Sequence, residues 1–279
     1  MAKHGEIKIA VLQMNAALGD KKANFEKVEY LLERDIHGQV DFIILPEVFA
    51  IGWCPRIFTE NAEDIAGETA GFLSSIAQKL NANIIGGSFI EKRQDGQYYN
   101  TCPVFNRKGE LVAQYDKIHL YGCDNEEKYI TAGERPVIAE AGGVKIGLTI
   151  CYDIRFPEIY RAYMKSGADL LVNIAAWGVS KPVQWEVMTR SRAVENLAYM
   201  AAVTQSGPIE ADKQNLGHSR VIDYKGGVIS EIKNQREGAV CAVINLDELY
   251  EFRNKYGIMN DIKERYEVVE SLEQVMTKQ

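Results

Sequence analysis

Short, continuous apolar runs that alternate with helical stripes constrain this chain more than any other feature. The runs at residues 7–13, 40–45, 144–150, 169–174 and 199–205 are rich in β-branched residues, as strands buried on both faces are. Between them, residues 24–36 set Phe25, Val28, Leu31, Leu32 and Ile36 on one helical stripe. Residues 69–80, 156–166 and 182–196 read as further helices, the last with Pro182 at its start. Residues 83–91 add a strand, and 98–120 read as two strands around a turn at Lys108-Gly109. A second hairpin, 219–232, turns at Lys225-Gly226-Gly227. The order is β-α-β-α-β and a hairpin, twice over, which predicts an α/β fold of two mixed sheets with helices on their outer faces.

With 46% hydrophobic and 25% charged residues, a chain of 279 can bury a sizeable core. No linker-like stretch or shift of composition divides it, so one domain over residues 1–279 is expected. The charged segment 261–279 lacks a core-sized apolar face and reads as a frayed helix or an arm toward a partner subunit. A net charge of −7 with dispersed Lys and Arg argues against nucleic acid. No run reaches the roughly 20 apolar residues of a membrane helix, and the run after Glu6 is too brief for a signal segment, so a cytoplasmic protein is expected. The five cysteines, at 54, 102, 123, 151 and 241, have neither disulfide-framework nor zinc-site spacing, and the four histidines are scattered. No metal and no cofactor are expected.

Three places bear chemistry. Phe42-Ile-Ile-Leu-Pro-Glu47 delivers a carboxylate at the carboxyl end of a buried strand, where ligands bind in α/β folds. Ile146-Gly-Leu-Thr-Ile-Cys151-Tyr-Asp-Ile-Arg-Phe-Pro-Glu158 runs a strand into a cysteine and then into a helix, an elbow that would expose a nucleophile beside backbone N–H groups. Tyr115-Asp-Lys117-Ile-His119-Leu120 points residues 117 and 119 to one face. Singly, each also fits a bland role: a wet loop carboxylate, an inert buried thiol, an edge strand guarded by lysine.

Taken in order, however, these three segments resemble the signature regions of the nitrilase superfamily. The resemblance runs from about Ile7 to about Asp247 and includes the 89–106 hairpin, Asn173-Ile-Ala-Ala-Trp177, Arg190-Ser-Arg-Ala-Val-Glu-Asn196 and Gly217-His-Ser-Arg220. The Cys-Tyr-Asp-Ile-Arg-Phe-Pro-Glu form is similar to the branch of ω-amidase and related Nit-type amidases. The resemblance implies an αββα sandwich. It also implies a cysteine hydrolase of small linear amides, with Cys151 as nucleophile, Glu47 as base, and Lys117 with the Tyr152 N–H holding the oxyanion. A second glutamate belongs between lysine and cysteine. Glu126 is preferred over its neighbour Glu127, although Ala132 stands where the family has proline. The resemblance places Trp177 at the pocket wall, where it would shape specificity, and a core position fits it equally. Arg155 is either a carboxylate anchor or a local partner of Glu158, the latter favoured by Arg-x-x-Glu spacing.

A homodimer or higher homo-oligomer is likewise implied, joined by residues 156–163 and the tail after Asp247. Two rivals remain at this point: a Cys–His hydrolase using Cys151 with His119 or His218, and a non-catalytic scaffold of the same fold. A dicarboxylate monoamide, an N-carbamoyl amine and a simple aliphatic amide all stay open as substrates.

Overall fold

The computed structural model describes residues 5–210, 212–263, 266 and 268. Most of the proposed arm, 261–279, lies outside the described residues.

Strands β1 (Glu6–Gln13), β2 (Phe42–Ile44), β3 (Asn83–Ile85), β4 (Phe89–Lys92), β5 (Tyr98–Phe105) and β6 (Leu111–Asp116) build the first sheet. The second sheet contains β7 (Ile138–Ala141), β8 (Val144–Ile150), β9 (Leu170–Ala175) and β10 (Tyr199–Thr204). After β10 come a separate hairpin, β11 (Ser206–Glu210) and β12 (Lys213–Leu216), then β13 (Arg220–Ile222), β14 (Val228–Glu231) and β15 (Gly238–Asn245). The first sheet runs β15-β1-β2-β3-β5-β4, with β6 also paired to β5, and the second runs β14-β13-β10-β9-β8-β7. Both are mixed: β1 is parallel to β2 and antiparallel to β15, while β8, β9 and β10 are parallel and β13 joins them antiparallel.

Alternation along each strand explains the layering. Ile7, Ile9 and Val11 of β1, with Phe42 and Ile44 of β2, share one core with Ile146, Leu148 and Ile150 of β8. The opposite faces, Ala10, Leu12 and Ile43, pack on Val28, Leu31 and Leu32 of α1 (Lys21–Asp35) and Leu73 and Ile76 of α2 (Glu68–Leu80). The second sheet is covered by α3 (Pro157–Lys165) and α4 (Pro182–Asn196), and α5 (Leu246–Tyr256) follows β15. Two sheets face to face with helices outside are the expected sandwich.

The expected strand 83–91 is in fact two strands, parted at Gly86 and Gly87. Gly87 lies at φ +59°, and a Cβ there would come within 2.2 Å of the Pro46 carbonyl oxygen. Backbone approaches backbone at the residue before Glu47, so glycine is required. Strands β7, β11, β12 and β15 and helix α5 have no counterpart in the sequence reading. Asn245 caps α5 by accepting from Glu248 N at 3.1 Å.

Candidate active site

Glu47, Lys117 and Cys151 each stand just past the carboxyl end of a strand, β2, β6 and β8 respectively. The first two come from one sheet and the third from the other. Two of these positions are conformationally costly: Val48, after Glu47, has φ 42° and Cys151 itself φ 46°. A β-branched residue in the left-handed region is strained and persists only where its surroundings hold it. Ser88 Oγ accepts from Val48 N at 3.0 Å, and Asp153 Oδ2 accepts from Ile150 N at 2.9 Å, just before the cysteine.

Lys117, Glu47 and Glu126 are fully buried, at 0% exposure. Lys117 Nζ donates to Glu126 Oε1 and Oε2, both at 2.8 Å, and to Glu47 Oε1 at 3.2 Å. Glu126 is fixed further by Tyr121 N at 2.6 Å. Glu47 Oε1 also accepts from Asn100 Nδ2 at 2.9 Å, and its Oε2 from Ala176 N at 2.8 Å. The Trp53 ring covers the ammonium at 4.7 Å, and its Nε1 donates to Asp124 at 3.2 Å.

One cation thus serves two buried carboxylates. Burial pushes the Glu47 carboxyl above its ordinary value, Lys117 opposes this and Glu126 adds to it. Burial alone would lower Lys117, but Glu126 and Glu47 outweigh it and keep the ammonium charged. Desolvation, with the negative charge of Glu47, drives the Cys151 thiol well above its usual range, and Lys117 pulls the other way. Burial thus favours the protonated thiol at Cys151, beside the Glu47 carboxyl group, a pair suited to proton exchange.

Cys151 opens onto a cavity of about 220 Å³ lined also by Trp53, Tyr121, Asp124, Tyr152, Arg155, Trp177, Lys181 and Lys213. Trp177 is held by Nε1 donating to Lys181 O at 2.9 Å and by packing on Trp185. Arg155 forms no ion pair with Glu158 among the described residues; its guanidinium lies 5.8 Å from the Tyr152 ring centre and 5.6 Å from that of Trp177, on the cavity wall. The Arg-x-x-Glu reading is corrected accordingly: Pro157 starts a new helix between the two residues, so they do not share a helical face. Glu127 is also corrected. It is exposed and does not line the cavity, because the turn Glu126–Lys128 points its neighbour inward instead.

Neither histidine reaches the cysteine. His119 Nδ1 bonds Asp153 Oδ1 at 2.7 Å and its ring stacks on Phe156, while His218 Nδ1 bonds Glu231 at 3.0 Å in a separate groove. Among the described residues, no group of three or more His, Cys, Asp or Glu side chains is placed to hold a metal ion. Sequence reasoning missed Trp53, Asn100 and Lys181. Asn100 lay in the 89–106 hairpin already marked as family-like, but nothing in the local pattern showed which side chain turned inward.

A buried Glu–Lys–Glu cluster beside a cysteine elbow, at the seam of an αββα sandwich, is the architecture of a nitrilase-superfamily hydrolase. The chain belongs to the carbon-nitrogen hydrolase family, whose model matches residues 8–254. It is 32% identical over 255 residues to 2-oxoglutaramate amidase of Bacillus subtilis, covering 91% of this chain and 97% of the relative. It is 35% identical over 224 residues to an omega-amidase of Homo sapiens, covering 77% and 80%. A CN-hydrolase superfamily protein of Xanthomonas campestris, solved with an arsenic adduct in its active site, superposes with a TM-score of 0.87 at 30% identity, covering 94% of this chain and 99% of that one.

Proposed function

We propose that this amidase cleaves a small linear amide bearing a separate carboxylate, a dicarboxylate monoamide, through a thioester on Cys151. The observation that carries this reading is the pair Arg155 and Lys181: both cations line the cavity that holds the cysteine, and neither forms an ion pair among the described residues. The names of the Bacillus and human relatives agree with it.

Glu47 takes the Cys151 proton as sulfur bonds to the amide carbon. The resulting oxyanion is held by the Lys117 ammonium and the Tyr152 N–H. The proton passes from Glu47 to the leaving nitrogen, the C–N bond breaks, and ammonia or an amine departs. Glu47 then draws a proton from water, whose oxygen bonds to the thioester carbon; the C–S bond breaks, the acid product leaves, and the proton on Glu47 returns to the sulfur. Glu126 keeps Lys117 oriented through both its oxygens.

The test is ammonia release from succinamate, butyramide and an N-carbamoyl amine, with Cys151→Ala as blank. Succinamate is expected to have the highest kcat/KM, and Arg155→Leu to raise its KM roughly 10–100-fold, the weight of one or two charge-assisted hydrogen bonds. Equal rates on butyramide, or an unchanged KM in the variant, refute the carboxylate reading.

We also assign the chain to the cytoplasm and to a homodimer or higher homo-oligomer. Among the described residues no helix is long and apolar enough to cross a membrane. On α4, Val183, Val187 and Val194 are 69%, 55% and 45% exposed at helical spacing, an apolar stripe suited to a second copy. Helix α3, the expected interface, turns Ile159, Tyr160 and Tyr163 into its own core and leaves Glu158, Ala162 and Lys165 outward. Light scattering on the Val187→Glu protein should report a smaller particle than the wild type.

A further inference from the structure

On the reading above, Glu47 accepts a proton and returns it in every cycle, so its neighbours face two chemical species. A carboxylate needs donors. A carboxylic acid presents an O–H and needs an acceptor as well. Lys117 Nζ and Ala176 N can only donate. Glu126 could accept, but both its oxygens are already engaged by Lys117, and one of them by Tyr121 N.

Asn100 is different. It is fully buried at 0% exposure, and its backbone oxygen accepts from Lys117 N at 2.9 Å, which fixes its Cα beside the site. Its Nδ2 donates to Glu47 Oε1 at 2.9 Å, while its Oδ1 is buried without a partner among the described residues. An orphaned buried acceptor is costly and calls for an explanation. Half a turn about the last side-chain bond exchanges oxygen for nitrogen at the same place, and that bond has a broad, two-fold torsion. We infer that Asn100 is a positioning residue for the base Glu47, donating to its carboxylate in the resting enzyme and, with its amide reversed, accepting from its carboxylic acid while Glu47 holds the cysteine's proton. No atom of Asn100 is transferred. The proton travels from Sγ to Glu47 and on to the leaving nitrogen.

The charged and titratable groups facing Glu47 are Lys117 on the segment after β6, Glu126 on the following turn and Cys151 on the elbow. Each remains in the variants that test the inference. Asn100→Leu removes the donor, so the carboxylate loses one hydrogen bond and the acid limb of kcat/KM against pH moves upward by about 0.5–1 unit. Asn100→Asp, nearly isosteric, sets a second carboxyl against Glu47 and moves the limb further the same way. Both should lower kcat at least tenfold with KM within about twofold, since no contact to substrate is lost. The measurements use whichever of the three amide probes releases ammonia fastest.

An acid limb within about 0.2 unit of wild type in the Asp variant overturns the inference, whatever the Leu variant does, since a merely structural Asn100 changes stability without moving that limb. Glu47→Gln separates this from the broader reading. If Glu47→Gln still turns over, Glu47 is not the base and both fall. If it is dead while the Asn100 limbs stay in place, the claim about Asn100 alone fails.

Discussion

Replacing Lys117 with methionine keeps the length of the stem and deletes the ammonium. In the structure that ammonium bonds three carboxylate oxygens at 2.8–3.2 Å with no access to solvent. Breaking a buried pair from one side costs about 3–5 kcal/mol, because the partner is left charged and unpaired. Here two carboxylates are left, and the cheaper outcome is that one takes a proton. Glu47 is the natural recipient, since burial already raises its pKa and Lys117 is what opposes the rise. Near neutral pH, folded Lys117→Met would then hold a proton that the unfolded chain has already released, its glutamates titrating at about 4.3. Stability falls with rising pH wherever the native state binds more protons. Urea denaturation should therefore show a deficit of about 3–5 kcal/mol near pH 8 and a clearly smaller one near pH 5.5. Turnover should fall by roughly 10²–10³ or more, the weight of one oxyanion donor. An equal deficit at both pH values, or kcat within a few-fold of wild type, refutes the reasoning.

Other outcomes follow from the same geometry. The acid limb of kcat/KM should lie above the ordinary glutamate value of about 4.3, because activity is lost as pH falls through the raised Glu47 pKa; a limb at or below that value excludes Glu47 as the base. His119→Ala should slow turnover far less than Lys117→Met, since the ring bonds Asp153 and not the cysteine; the reverse order in ammonia release would favour a Cys–His enzyme. Gly87→Ala should destabilise by about 1–3 kcal/mol through overpacking and lower kcat as well, because the added carbon pushes on Pro46 beside Glu47. A thermal melt and a rate assay check it, and an unchanged rate would mean that Glu47 tolerates the shift.

The layers of the fold were legible because burial dictates pattern. Strands covered on both faces, such as Val144–Ile150, read as unbroken apolar runs, and α4 is bounded as expected by Pro182 and Asn196. What escaped has its cause outside the local sequence. The break at Gly86-Gly87 exists because the chain beyond another strand's end passes over it, and β15 is placed by pairing with β1, 239 residues away in Glu6↔Asn245. The site divides in the same way. Glu47, Lys117 and Cys151 sit on strand ends that the apolar pattern reveals. Glu126 and Glu127 differ by one place in a short turn, and only tertiary packing decides which one turns inward. Trp53 and Lys181 ride on loops, whose paths no periodicity encodes.

The division of the cluster between two sheets has a consequence for the life of the chain before it is native. Glu47 and Lys117 are carried by the first sheet and Cys151 by the second, and the first sheet is itself closed only by β15, the last strand to be synthesised. Until the two layers dock, the cysteine lacks the carboxylate and the cation proposed to activate it and has the modest nucleophilicity of any free thiol. Chemical competence thus arrives together with the last large burial step. A nascent or half-folded molecule is chemically quiet, and the rate at which Cys151 acquires its native reactivity during refolding would time the closing of the sandwich.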